Sequence, residues 1–222
     1  MSLRAPLERL ALSTFLLLLL AACAREVPAP EAASDAAQEV GEPAMRGEQE
    51  ALPEVLALEV SVEGEVEARE ATLARSPQGY AIYVLPQVEF TPEEPGRDVA
   101  FARVDERFFV RIERLDPTAP LLAMRADAEL ELSALGPVEV VTGSALQDPF
   151  FQSADFFLQA SSPELTKLIV VLPIEGVRYR FSLHLPLAEA AEGIVPSFWA
   201  MLRSIRTVGE PEHPGQAPAI EE

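Results

Sequence analysis

Residues 168–185 read Leu168-Ile169-Val170-Val171-Leu172-Pro173-Ile174-Glu175-Gly176-Val177-Arg178-Tyr179-Arg180-Phe181-Ser182-Leu183-His184-Leu185, and this stretch decides the fold. The run from Leu168 to Leu172 is apolar on both parities, the pattern of a central strand covered on both faces. Glu175-Gly176 then supplies a hairpin turn. The return strand alternates cleanly, with Tyr179, Phe181, Leu183 and Leu185 on one side and Arg178, Arg180, Ser182 and His184 on the other. An antiparallel pair whose first strand is buried on both sides requires packed layers above and below the sheet.

Working outward, the chain before this stretch predicts further strands. Leu58, Val60 and Val62 alternate with Glu59, Ser61 and Glu63, a half-buried strand that Val66 and Ala68 extend past Gly64. A turn at Ser76-Pro77-Gln78-Gly79 leads into a strand from Tyr80 to Leu85, closed by Pro86. Thr91 to Gly96, holding Pro92, Glu93, Glu94 and Pro95, reads as a loop. Val99, Phe101 and Arg103 begin another strand and Asp105-Glu106 marks a tight turn. Beyond it Phe108, Val110 and Ile112 oppose Arg107, Arg111 and Glu113, which completes a meander.

The period then becomes helical. From Thr118 as N-cap, with Pro120 at an early position, Leu121, Met124 or Arg125, Ala128, Leu132 and Leu135 fall near one stripe, and Gly136 ends it. Strands at Val138 to Val141 and Asp155 to Gln159 precede the deciding stretch. A closing helix opens at Pro196, with Phe198, Met201, Leu202 and Ile205 on one face and Arg203 and Arg206 near the negative end of its dipole. Strands, helix, strands, helix is the order of an α+β domain, here over residues 56–208, with a mostly antiparallel sheet layered with two helices.

The whole chain has 222 residues, 17 Lys plus Arg against 36 Asp plus Glu, and a formal net charge of −19. Such a balance excludes nucleic-acid binding driven by charge alone, which needs clustered cations. The charge is unevenly spread. Residues 24–55 hold eight carboxylates and two arginines in a background of Ala, Pro and Gly, too little apolar surface to offset ordering entropy. Residues 23–55 therefore read as a disordered acidic tether, with a flexible-coil reach of roughly 30 Å. Residues 209–222, with four glutamates and three prolines, read as a second disordered acidic tail.

At the amino terminus Arg4 and Arg9 precede an apolar run, Leu10 to Ala22, of 13 residues. A helix crossing the hydrocarbon core needs roughly 20 residues, so residues 1–22 fit a secretory signal better than a permanent span. The run ends in Leu20-Ala21-Ala22-Cys23, which resembles the lipobox of bacterial lipoproteins. The resemblance implies cleavage before Cys23 and acylation of its thiol and of the new amine. Two or more acyl chains hold a protein stably on a bilayer. Cys23 is the sole cysteine, so its acylation leaves neither a disulfide nor a free thiol. Ala24, where an Asp would signal inner-membrane retention, leans toward the outer membrane in an organism that has one.

A second resemblance lies in the folded part. The Gly79-Tyr80-Ala81-Ile82 strand after a turn, the Leu85-Pro86 close, and the terminal strand and helix carrying Tyr179, Phe181, Pro186, Phe198, Leu202, Ser204 and Ile205 resemble the PsbP-like α/β/α sandwich over about residues 70–207. That family includes bacterial surface lipoproteins and mainly supplies binding and assembly modules, so the resemblance implies such a role.

Residues with chemical potential are few. A nucleophilic triad needs a histidine beside its nucleophile, but His213 falls in the tail and His184 on the Arg178 and Arg180 face of a strand. Zinc sites want several Cys or His ligands. Carboxylate pairs, Glu129 with Glu131 or Glu93 with Glu94, suit glycoside chemistry, though in so acidic a chain they read first as a solvated face. Glu93, Glu94 and Asp98 offer oxygen to a hard cation without the spacing of a dedicated loop. Phe150, Phe151, Phe156 and Phe157, after Asp148-Pro149, line either a groove for an apolar ligand or partner or simply the core. The sequence thus points to a lipid-anchored extracytoplasmic binding or assembly module of the cell envelope, with neither catalytic residues, cofactor nor metal. Its expected partners are membrane lipid through Cys23 and an envelope protein or ligand of unknown identity. An envelope hydrolase using paired carboxylates and a carrier of an apolar ligand are the alternatives.

Overall fold

The computed structural model describes residues 51–143 and 148–209. The signal segment, Cys23, nearly all of the tether, His213 and most of the acidic tail lie outside the described residues. Along the chain run β1 (Val55–Val62), β2 (Glu65–Ser76), β3 (Tyr80–Val84), β4 (Val88–Glu93), β5 (Arg97–Ala102) and β6 (Asp105–Arg114). Then come α1 (Leu121–Ser133), β7 (Val138–Val140), a 3-10 turn (Pro149–Ser153), β8 (Phe156–Ser161), β9 (Leu165–Ile174), β10 (Val177–Pro186), α2 (Ala191–Arg203) and β11 (Arg206–Thr207). The fold is α+β and dominated by two antiparallel sheets: a seven-stranded one ordered β4-β5-β6-β10-β9-β8-β7 and a four-stranded one ordered β1-β2-β3-β11.

The hairpin read from residues 168–185 forms the middle of the large sheet. Glu175 and Gly176 take φ of 50° and 83°, the left-handed pair that a two-residue hairpin requires. β9 and β10 pair over ten residues, from Ile174 opposite Val177 to Leu165 opposite Pro186. Leu168, Val170 and Leu172 of β9 join Tyr179, Phe181 and Leu183 of β10 in a core shared with Val60, Ile82, Phe198 and Leu202. Ile169 and Val171, on the other parity, join Phe156 and Leu158 of β8 against Ala128 and Leu132 of α1. The double apolar parity of β9 is thus explained: α2 and the small sheet lie on one side, α1 on the other. Each large side chain so buried contributes about 1.5–3 kcal/mol.

Several expectations are corrected. The first predicted strand does not run on past Gly64. Glu63 and Gly64, with φ of 52° and 88°, reverse the chain, and Val66 and Ala68 return opposite Ser61 and Glu59 in β2. Thr91 to Glu93 are strand, not loop. β4 borders the large sheet, where a proline such as Pro92 removes no needed ladder donor. The turn after β5 is at Arg103-Val104, so Asp105 already belongs to β6. Thr118 does not cap α1, because its backbone N–H and its hydroxyl both donate to Oδ1 of Asp116; the helix starts after Pro120 and ends at Ser133, before Gly136. A side chain at Gly136 would meet the Ser161 carbonyl at 2.6 Å, so that glycine permits close approach to β8. α2 begins at Ala191 and takes Pro196 into its interior.

The two sheets are clasped by a buried polar group. Asp98 of β5 has no exposed surface, and its Oδ2 accepts from the Ser76 hydroxyl at 2.5 Å and the Tyr80 hydroxyl at 2.6 Å. Ser76 and Tyr80 belong to the small sheet. Burial pushes the Asp98 carboxyl above its ordinary pKa against the opposing pull of the two hydroxyls, and it drives Tyr80 upward as well, with the nearby Asp98 charge adding to it.

Candidate binding groove along the small sheet's edge

β1 is the outer strand of the small sheet, and its alternation sends Leu58 and Val60 inward while Ala57, Glu59 and Ser61 stay exposed. The backbone parity follows from the register. The Leu73 N–H donates to the Glu54 carbonyl at 2.9 Å. In an antiparallel ladder, bonded pairs recur at every second residue, so Leu56, Leu58, Val60 and Val62 bond to β2. Val55, Ala57, Glu59 and Ser61 then direct their N–H and C=O groups away from it. The guanidinium of Arg203 occupies one of them, donating to the Glu59 carbonyl at 3.0 Å.

Along this edge runs an open groove of about 890 Å³, the volume range of small-molecule and peptide sites. Its walls are β1, the Pro196–Arg203 part of α2, the 3-10 turn, and the inner face of β8 and β9. An aromatic cluster forms much of its apolar lining. Phe151 meets Trp199 with ring centroids 4.8 Å apart and Phe157 with centroids 5.7 Å apart, both edge to face, the arrangement favoured by ring quadrupoles. The rim is charged. Asp148 caps the 3-10 turn by accepting from the Phe150 N–H at 3.0 Å, and its other oxygen accepts from Arg203. Arg206 stands at the end of the groove with Glu175 at 3.7 Å.

The four phenylalanines singled out in the sequence divide. Phe151 and Phe157 line the groove, Phe150 packs edge to face on Phe151 with centroids 4.9 Å apart, and Phe156 points to the opposite side of the sheet, toward α1. Trp199 and the edge of β1 escaped the sequence reading. The available signal was a tryptophan standing off the buried stripe of Phe198, Met201, Leu202 and Ile205.

Most of the carboxylates considered for catalysis or cation binding are engaged elsewhere, and Glu94 stands exposed in the turn after β4. Glu93 accepts from Arg111 at 2.6 and 2.9 Å, and these bonds hold its carboxyl below the ordinary value. Glu129 pairs with Arg125 at 2.9 Å, and Glu131 with Arg180 at 3.2 Å. Asp98 is enclosed in the clasp between the sheets. Among the described residues, no three His, Cys, Asp or Glu are grouped to hold a metal ion. His184 stacks on Phe109 at 4.8 Å and its Nδ1 lies 2.8 Å from the Arg107 carbonyl, on the face of β10 that carries Arg178 and Arg180. No helix among the described residues is long and apolar enough to cross a membrane.

Residues 52–206 match the sequence profile of a family described as a domain of unknown function (DUF8580). A search of curated proteins finds no match. A solved structure from Bacteroides thetaiotaomicron VPI-5482 is similar over 60% of this chain, with 8% sequence identity and a TM-score of 0.37. The chain spans 46% of that structure's own length.

Proposed function

The chain belongs to the DUF8580 family, and from that premise we propose that it is a non-catalytic binding or assembly module of the cell envelope, held at a membrane by acyl chains on Cys23. The observation that carries the binding role is the open, aromatic-lined groove between β1, α2 and β8. An interaction module exposes an apolar surface rimmed by polar groups. A carrier would enclose its ligand instead, and this groove is open to solvent. A hydrolase would set its acids across a cleft, whereas Glu93, Glu129 and Glu131 sit in ion pairs on other surfaces. The helix on either face of the large sheet supports the likeness to a PsbP-like sandwich. The apolar run ending at Cys23 supports secretion and lipidation, with the outer membrane as destination in a cell that has one.

Two measurements test this reading. A Cys23→Ala variant should leave the membrane fraction, and intact-mass analysis of the native protein should find acyl chains on its amino terminus; a bare terminus overturns the anchor. A photo-crosslinking amino acid at Trp199, in native cells, should yield discrete adducts with an envelope protein, while the same probe at exposed Leu122 on α1 should not. Equal labelling from both positions, or none from Trp199, overturns the groove as the binding surface.

A further inference from the structure

We propose that the groove receives an extended segment of a partner protein, which adds to β1 as a fifth strand of the small sheet. This rests on the groove being the binding surface and goes on to name its occupant.

Among the described residues the two sheets end in four edges, β1, β11, β4 and β7. An exposed strand edge is a template for pairing with another chain, and proteins blunt such edges by brevity, proline or bulges. Three edges here are blunted: β11 has two residues, β7 has three, and β4 carries Pro92. β1 is different. It runs eight residues in unbroken register with β2 and holds no proline. The groove of about 890 Å³ follows that one long edge. A strand laid there finds the N–H and C=O groups of Ala57 and Ser61 pointing at it, with the Glu59 carbonyl between them held by Arg203. Its alternate side chains turn inward onto Phe151, Phe157 and Trp199. Main-chain bonds supplying affinity and side-chain pockets supplying selectivity are the two components of strand addition.

The segments flanking the domain, residues 24–50 and 210–222, offer no suitable occupant. Between residues 24 and 50 the only β-branched or aromatic residues are Val27 and Val40, and between 210 and 222 the only one is Ile220. Such segments have weak strand propensity. A second copy pairing β1 with β1 would leave the groove empty, because Leu58 and Val60 of each copy are already buried in their own core. The occupant is therefore a segment of another protein, alternating in apolar and polar residues.

The test uses the full chain, immobilised, and a phage-displayed library of random twelve-residue peptides. The key variant is Ala57→Pro. Ala57 is exposed and its N–H faces away from β2, so proline removes a donor to the groove and no bond of the β1–β2 ladder. Peptides enriched on the native chain should alternate in apolarity and bind Ala57→Pro at least tenfold more weakly, with its thermal midpoint unchanged. Against a variant that misfolds, the enriched peptide itself serves: N-methylation of its odd or its even residues, tested on the native chain, should abolish binding for one parity and spare the other. Peptides that bind Ala57→Pro equally, a loss independent of parity, or no enrichment at all would each overturn strand addition. The Trp199 adducts are read separately, so the groove can survive as a binding surface while its proposed occupant does not.

Discussion

Two hairpins in this protein share one turn. Glu63-Gly64 joins β1 to β2 and Glu175-Gly176 joins β9 to β10, with nearly equal left-handed φ values in both. The registers align the arms position by position. Val62 and Glu65 flank the first turn where Ile174 and Val177 flank the second; Val60 and Glu67 stand where Leu172 and Tyr179 stand; Leu58 and Arg69 stand where Val170 and Phe181 stand. The second hairpin has a strand on each side, β8 and β6, and its first arm is buried on both faces. The first lies at a sheet border, with charged residues along its return arm. The same turn chemistry thus doubles the chain back in both places, and the neighbours decide whether the product is a core or an open edge.

The comparison is tested most severely by truncating matched positions. Phe181→Ala should cost about 3–5 kcal/mol, as large-to-small changes in a packed core do. Arg69→Ala, at the equivalent position, should cost less than about 1 kcal/mol. It breaks a partly exposed pair with Glu67 at 2.8 Å and a bond to the Ser197 hydroxyl at 3.1 Å, and exposed pairs of this kind contribute little. Urea denaturation of both variants measures the difference. Equal losses would mean that the edge hairpin is as integral to the cooperative unit as the central one.

The next effect concerns how the small sheet is tied to the large one. Tyr80→Phe removes one of the two hydroxyl donors to the buried Asp98 oxygen and should destabilise by about 1–3 kcal/mol. Asp98 also makes the clasp depend on pH. Its native pKa stands above the ordinary value, so the native state keeps a proton that the unfolded chain releases. Stability from this group is therefore lost as pH rises from the ordinary carboxylate range through the raised value, and the loss is constant above that. Asp98→Asn removes the dependence. Across roughly pH 3 to 8, the unfolding free energy of the variant relative to the native chain should shift in the variant's favour as pH rises. A difference that does not change with pH would show that Asp98 titrates as an ordinary carboxyl.

The central hairpin was legible because its apolar run and alternating return strand agree with the turn between them. At the edge hairpin these signals conflict. Glu65, Glu67, Arg69 and Glu70 give β2 a polar beginning, so Gly64 looked like a break inside one strand and the reversal went unseen. β4 was hidden in a similar way: Pro92 argues against a strand unless that strand is known to be an edge, and edge position is a tertiary fact. The α+β order and both helices follow from local periodicity, and the residues expected on their buried stripes are the ones packed in the cores. The groove does not follow, because it is made by elements far apart in sequence, an edge strand, a 3-10 turn and the off-stripe side of α2. Only Phe151 and Phe157 announced it.

If the two turns are equivalent, their glycines should be equivalent too. Gly64 and Gly176 have φ of +88° and +83°, and a Cβ at either would meet nothing within 4 Å. Alanine therefore probes backbone conformation alone, and each substitution should cost about 1 kcal/mol. Closely matched losses in urea denaturation would confirm that the turns act locally. A much larger loss at Gly176 would mean that the central hairpin amplifies strain which the edge hairpin relaxes.

The smallest effect runs in the opposite direction. Glu65 faces Val62 across the first turn, where the second turn sets Val177 opposite Ile174. Glu65→Val gives the edge hairpin the apolar pair that the central one has, and such a cross-strand pair contributes about 0.5 kcal/mol. Val62 already packs partly against the core, so the new methyl groups extend an existing contact. A gain of that size, read as a raised urea midpoint at unchanged slope, would show that the edge hairpin is held below its attainable stability by its charged arm and not by its turn. No gain would place the difference between the hairpins in their neighbours alone: without a strand beside β1, the pair at the turn has nothing to transmit its stability to.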